Sequence, residues 1–147
     1  MTAVALRPAA EDAAGLEYVA ALLDAEGLPV SDLHESPATF YVARVDGDRA
    51  GAGGIETYGT DALLRSVVVE PDSRGQGVGD ALCAALEDRA RERGVEDVYL
   101  LTTTAAAFFA GRGYERIDRE AAPPAVRATR EFESLCSDAA VAMWRSL

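Results

Sequence analysis

The amino-acid sequence predicts a single α/β domain, residues 1–147, on a mixed sheet flanked by helices. Three observations carry this. Short β-rich runs alternate with stretches of helical periodicity, a tight-turn signal joins two early β runs, and 147 residues suit one hydrophobic core.

The elements follow in order. Val4–Leu6 is a short strand stopped by Pro8. Leu16, Val19, Ala20 and Leu23 recur at the i, i+3, i+4, i+7 spacing of an amphipathic helix that Gly27 and Pro29 end. A shorter turn is expected over Val30–Glu35. Phe40–Val45 is β-rich and runs into Asp46-Gly47-Asp48, a hairpin signal, with Ala50–Tyr58 as the returning antiparallel strand. After a turn at Tyr58–Asp61, the apolar, β-branched run Ala62–Val69 reads as a central strand. Asp80–Arg93 is helical, with Leu82, Ala85, Leu86 and Arg89 on one face and Gly94 as its C-cap. Then come a buried strand Val98–Leu101, a short helix Ala105–Arg112 ended by Gly113, a strand Tyr114–Ile117, a helix Pro123–Phe132 and a closing strand Val141–Trp144.

Composition narrows the function classes. No stretch approaches about 20 consecutive apolar residues, so no spanning helix is expected. Met1–Arg7 lacks a basic region before an apolar core, so the expected compartment is the cytoplasm. There are 25 acidic residues against 14 basic ones, every basic residue is Arg, and the net charge is -11. Such a surface repels a phosphate backbone and speaks against general nucleic-acid binding. The acidity fits a halophile, whose screened carboxylates keep the surface hydrated, and equally a GC-rich genome favouring Ala, Arg, Asp and Glu. Cys83 and Cys136 are too few for a disulfide framework and lack metal-ligand spacing, so no metal is expected. Cys83 reads as a core residue, Cys136 as a packed thiol, and His34, the only histidine, as a loop residue.

The informative segment is Val67-Val68-Val69-Glu70-Pro71-Asp72-Ser73-Arg74-Gly75-Gln76-Gly77-Val78-Gly79-Asp80. A buried strand ends at Pro71, and three alternating glycines lead into a helix. Glycines admit a close-lying ligand, and a helix start presents unpaired N–H groups and a positive dipole end. The combination is an anion site suited to phosphates. A nucleoside-triphosphate loop needs Lys then Ser or Thr after its last glycine, and here Asp80 and Ala81 follow. A dinucleotide loop needs Gly-x-Gly-x-x-Gly, and here Gly75-x-Gly77-x-Gly79 leaves Asp80 in the sixth place. Glycines serving only a tight connection are the bland alternative, but three at a helix start cost stability unless something uses them.

Arg74-x-x-Gly77-x-Gly79 after a strand and opening a helix resembles the acyl-CoA pyrophosphate loop of the GNAT N-acetyltransferases. The likeness runs over nearly the whole chain: antiparallel strands before the loop, the strand Val98–Leu101, the helix with Phe108-Phe109, then Gly113-Tyr114. Ala62–Ser66, Leu101–Ala105 and the tail through Ile117, Arg127-Ala128-Thr129 and Ser134-Leu135-Cys136 are similar to the GNAT branch associated with arsenic-resistance operons. That branch is itself similar to the acetyltransferase domain of N-acetylglutamate synthases.

The resemblance implies acetyl transfer from acetyl-CoA, as co-substrate, to the amine of a small amino-acid-like acceptor. Backbone groups of Val67, Val68 and Val69 would pair with the pantetheine arm as an added strand. Arg74, Gly75, Gln76, Gly77, Val78, Gly79 and Asp80 would hold the pyrophosphate, Arg74 with its charge and the rest mainly through N–H groups. Asp80 departs from the basic or hydroxylic residue frequent there, and its carboxylate repels phosphate. Glu56 is the candidate base for a protonated amine, and the competing reading makes it a solvated strand residue. The N–H of Val68 is the expected oxyanion donor. The tyrosine that protonates the leaving thiolate in many relatives is Phe109 here. Tyr58 or Tyr114 could substitute, though core packing is the commoner role of such residues. Arg65, with Tyr58 beside the acceptor, is the candidate for an acceptor carboxylate, and as a charge on an apolar strand it should pair with Glu56 or with that carboxylate. Arg127 and Arg130 could serve the same end but read more simply as solvated. Relatives that dimerise through late strands point to Val141–Trp144 as the contact of a homodimer. Because of Phe109 and Asp80, a non-catalytic acyl-CoA-binding module stands as the alternative function.

Overall fold

The computed structural model describes residues 3–28, 30, 38–129, 132 and 140–147. Its strands are β1 (Ala5–Pro8), β2 (Thr39–Val45), β3 (Asp48–Tyr58), β4 (Asp61–Val69), β5 (Asp97–Thr102), β6 (Glu115–Ile117) and β7 (Val141–Ser146). Its helices are α1 (Gly15–Ala25), α2 (Val78–Glu92), α3 (Ala106–Gly111) and α4 (Pro124–Arg127). The seven strands follow the order β1-β2-β3-β4-β5-β7-β6, with β4 and β5 parallel and the β1/β2, β2/β3, β5/β7 and β6/β7 pairs antiparallel. This is the mixed sheet expected. Contacts group the chain into two compact units, Met1–Glu56 with Ser66–Arg89, and Thr57–Arg65 with Ala90–Leu147.

In the first unit, Val19, Leu22 and Leu23 of α1 pack on Phe40, Val42, Ala52 and Val68. Burying each large apolar side chain contributes about 1.5–3 kcal/mol. The opposite face of β2 and β3 receives α2. Leu86 lies against Gly53, and the Arg89 guanidinium sits 5.4 Å from the Tyr41 ring centre and donates to the Leu6 carbonyl at 3.3 Å. Asp46 (φ 52°) and Gly47 (φ 85°) make the β2–β3 turn, both left-handed as a primed hairpin turn demands. Asp12 accepts from Arg44 at 2.9 Å and Arg49 at 3.0 Å. The Arg44 hydrogen bond, aided by Arg49 and opposed by burial, holds this carboxyl below its usual range.

In the second unit, Leu63, Ala122, Val126, Phe132 and Ala142 form the core, with Tyr58, Tyr99, Leu101 and Ile117 against it. β7 is hydrogen-bonded by β5 on one edge and β6 on the other. On the β6 side the pairing covers Ala142, Met143 and Trp144, and β1 and β6 are the outer strands.

Several boundaries differ from those read in the sequence. α2 starts at Val78, two places before Asp80, so Val78 and Gly79 belong to its first turn. The helix expected over Pro123–Phe132 is α4 alone among the described residues, preceded by a 3-10 turn at Arg119–Ala121. Tyr114 lies just before β6, buried against Phe109. The Val30–Glu35 turn (Val30 apart), His34, Arg130 and Cys136 fall outside the described residues. Cys83 is fully buried, as a core residue should be.

Candidate active site

β4 is irregular along its second half. Its register with β5 covers Asp61, Ala62 and Leu63 opposite Asp97, Val98 and Tyr99, while the strand itself continues to Val69. Ser66 has φ 58°, a left-handed backbone in mid-strand at a non-glycine residue. Such a conformation costs about 1–3 kcal/mol and persists only where its surroundings over-determine it, commonly at functional sites.

Beyond Ser66 the orientation of the backbone can be followed. The Val68 carbonyl lies on the β3 side, where a Cβ on Gly51 would stand 2.4 Å from its oxygen. The Glu70 amide donates to the Ala50 carbonyl at 2.7 Å, also on the β3 side. In an extended strand a residue's N–H and C=O point one way and its neighbours' point the other. Val67 and Val69 therefore present their groups on the opposite edge, and Val68 turns its own toward β3 while its side chain joins the core. The Val68 N–H, named above as the expected oxyanion donor, thus faces β3, and the Val67 N–H lies on the opposite edge.

A 3-10 turn at Pro71–Ser73 follows β4, and Gly75 (φ 77°) and Gly77 (φ 79°) are both left-handed. A side chain at either would be strained, and left-handed residues at a helix entrance turn successive N–H groups toward one point, a nest for an anion. Gly79 is helical instead, with no left-handed backbone angle. The first-turn amides of Val78 and Gly79 have no partner within the helix, where the dipole end is positive. Arg74 and Asp80 are exposed at this end, and Val78 is buried. The Arg74 Nε donates to the Val69 carbonyl at 3.2 Å, and its terminal nitrogen pairs with Glu26 at the C-terminal end of α1. Gln76 donates through its side chain to the Asp72 carbonyl at 3.2 Å.

Glu56 and Arg65 are buried, at 3% and 4% exposure, and neither is without a partner. A solvated Glu56 is thereby ruled out. Tyr58 is half-buried and packs on the Leu63–Val126 cluster. Phe109 is buried, its ring edge-on to Tyr114 at 5.4 Å and to Phe108 at 5.1 Å. Arg127 is exposed, in line with a solvated role. No group of three or more His, Cys, Asp or Glu able to hold a metal occurs among the described residues, and no described helix is long and apolar enough to cross a membrane. Sequence reading missed two participants, the kink at Ser66 and the ion pair from Glu26. The only hint of the first was a hydroxyl residue inside an apolar run.

Residues 36–116, more than half of the chain, match the Acetyltransferase (GNAT) domain. The chain belongs to the GNAT acetyltransferase family. The matched span holds the glycine loop, Glu56 and Arg65. An amino-acid acetyltransferase of Ectopseudomonas mendocina is 42% identical to this GNAT chain over 62 residues, covering 42% of the chain and 14% of that relative. N-acetylglutamate synthase from Neisseria gonorrhoeae, solved with coenzyme A and N-acetyl-glutamate, superposes with a TM-score of 0.79 at 22% identity, over 98% of this chain and 35% of that one. A Mycobacterium tuberculosis protein solved with CoA reaches 0.79 at 23% identity, with 97% and 99% of the two chains covered. The two structures share the fold. The chain spans 14% of the first relative's length and 35% of the synthase's.

Proposed function

We propose that this GNAT domain transfers an acetyl group from acetyl-CoA to the amine of an amino-acid-like acceptor by direct attack on the thioester. The observation that carries the reading is the pair of left-handed glycines, Gly75 and Gly77, between the kinked strand β4 and the start of α2. Amides gathered there suit a diphosphate. The edge groups of Val67 and Val69 suit the amides of a pantetheine arm. The similarity to amino-acid acetyltransferases supports an amino acid as acceptor.

In this mechanism Glu56 takes the proton of the ammonium, directly or through a water. The freed lone pair attacks the carbonyl carbon, and the Val67 N–H faces the oxyanion that forms. As the tetrahedral intermediate collapses the C–S bond breaks, the thiolate leaves with both electrons, and the extra proton on the new amide nitrogen passes to water or to that thiolate. With Phe109 where relatives carry tyrosine, no hydroxyl stands at that place to protonate it. A thiol pKa near 8.5 makes the thiolate a tolerable leaving group all the same. Arg65 is the proposed partner of the acceptor carboxylate, with Tyr58 beside it. No metal enters the scheme, and a cytoplasmic site of action, where thioester donor and free amino acids meet, goes with it. The likeness to the arsenic-resistance branch rests on the sequence runs quoted above.

The test is thiol release from acetyl-CoA with a panel of amino acids and polyamines, beside calorimetry with CoA. Turnover confined to amino acids is expected, with Gly77→Val weakening CoA about tenfold or more through backbone strain and blocked approach. CoA binding without turnover across the panel would instead favour a non-catalytic acyl-CoA-binding module, the reading that Phe109 and Asp80 support.

A further inference from the structure

Arg74 is the cation nearest the glycine loop in sequence, yet it is already occupied. Its Nε donates to the Val69 carbonyl and its terminal nitrogen pairs with the Glu26 carboxylate. Val69 O lies on the edge of β4 that faces away from β3, the edge whose groups suit a pantetheine amide. Glu26 sits exposed at the C-cap of α1, with its backbone N–H bonded to Leu23 O at 3.1 Å. The helix end thus holds an anion against the one arginine that opens the loop.

We infer that Glu26 and Arg74 form a latch across the coenzyme edge of β4, which a diphosphate opens by displacing Glu26 from the guanidinium. The inference rests on the proposed acetyl-CoA reading of the loop. Glu26 is a positioning residue here, acting through Arg74. Two anions compete for one cation. A diphosphate in the loop brings more charge than one carboxylate and adds the amides of the α2 start, so it wins Arg74. When Arg74 turns toward it, Nε leaves Val69 O, and that carbonyl becomes available to an amide N–H of the pantetheine arm. Gripping the diphosphate and opening the strand edge are thereby one event. A ligand with a pantetheine arm but no diphosphate lacks the means to open the latch.

Glu26→Gln keeps the side chain's size and removes the competing charge. An exposed ion pair contributes about 0.2–1 kcal/mol, so CoA should bind E26Q about two- to fivefold tighter at low salt. The gain should fade toward about 1 M salt, where screening weakens the competing pair in the parent chain. Arg74→Ala should separate the ligands in opposite directions, with CoA weaker and pantetheine tighter than in the parent chain. Calorimetry with CoA and NMR titration with pantetheine read these out, with thermal melting to confirm that each variant is folded. A merely structural role for the pair would move both ligands the same way. If the parent chain binds CoA and E26Q matches it at every salt concentration, the latch is wrong. If R74A loses pantetheine along with CoA, it is wrong as well. Should the parent chain bind no CoA, the reading of the loop falls first and the latch with it.

Discussion

The buried charges divide the labour at the scale of single residues. Glu56, Arg65 and Glu87 are each 3–4% exposed, in a chain whose other buried side chains are mostly apolar. An unpaired charge so placed costs several kcal/mol, and none of the three is without a partner. Glu56, the proposed base, is thus held by a partner and kept out of bulk water. Glu56→Gln should therefore lower kcat/KM for the acetyl transfer by about 10²–10⁴ while leaving CoA affinity within about twofold. Steady-state kinetics and calorimetry on the same preparation check this. A variant that turns over at the parent rate removes Glu56 from the mechanism.

At the scale of elements, the fit of β3 against its neighbours fixes the edge of β4 proposed for the coenzyme, and two glycines on β3 separate the possibilities. A Cβ at Gly53 would stand 2.5 Å from a methyl carbon of Leu86, the mobile end of a side chain. A Cβ at Gly51 would stand 2.4 Å from the backbone oxygen of Val68, which gives way only if β4 moves. Gly51→Ala should cost about 1–3 kcal/mol and also weaken CoA binding, because the displaced segment carries Val67 and Val69. Gly53→Ala should cost less and leave CoA binding alone. Denaturant midpoints with calorimetry decide it, and equal effects from the two substitutions would contradict the placement of Val68. This level also shows what the sequence could reveal. The strands, α1, α2 and α3 were legible because alternation, 3.6-residue spacing and the glycines at 27, 47, 94 and 113 are local signals; all four glycines are left-handed in the structure. The Gly75–Gly79 loop was legible for the same reason. The kink at Ser66 was not, because no local signal such as a glycine marks a left-handed residue there. Nor was the start of α2 at Val78, since glycine has poor helix propensity and Gly79 reads as loop until packing decides otherwise. The Glu26–Arg74 pair spans residues distant in the chain, and charge alone gives no means of choosing Glu26 among 25 acids.

The whole molecule carries 25 acids against 14 arginines, and one place shows what the imbalance does. Asp61 and Asp97 stand opposite each other at the start of the parallel β4/β5 pair, with Glu96 next in the chain and the Trp144 indole donating to Asp97 at 2.9 Å. Burial first, then the charges of Asp97 and Glu96, raises the Asp61 carboxyl above its ordinary value. A carboxyl raised in the folded state disfavours folding fully at pH above that raised value, and the penalty fades as pH falls toward the unfolded value near 3.9. At neutral pH the penalty is therefore in force, and salt relieves the part of it that comes from the charges of Asp97 and Glu96. The Debye length shortens from about 10 Å at 0.1 M to about 3 Å at 1 M, which screens like charges across the surface while pairs in contact, such as Asp12 with Arg44 and Arg49, are screened less. The melting temperature at pH 7 should rise by about 5 °C or more between about 0.1 M and 2 M KCl. Asp61→Asn should raise it at low salt by about 1–3 °C and gain less from added salt, since one source of repulsion is already gone. A scan at fixed pH in KCl, repeated near pH 4 where the two chains should converge, tests both statements. A melting temperature that falls or stays flat with salt would mean that the arginine pairs outweigh the acidic excess, and the halophilic reading of this composition would go with it.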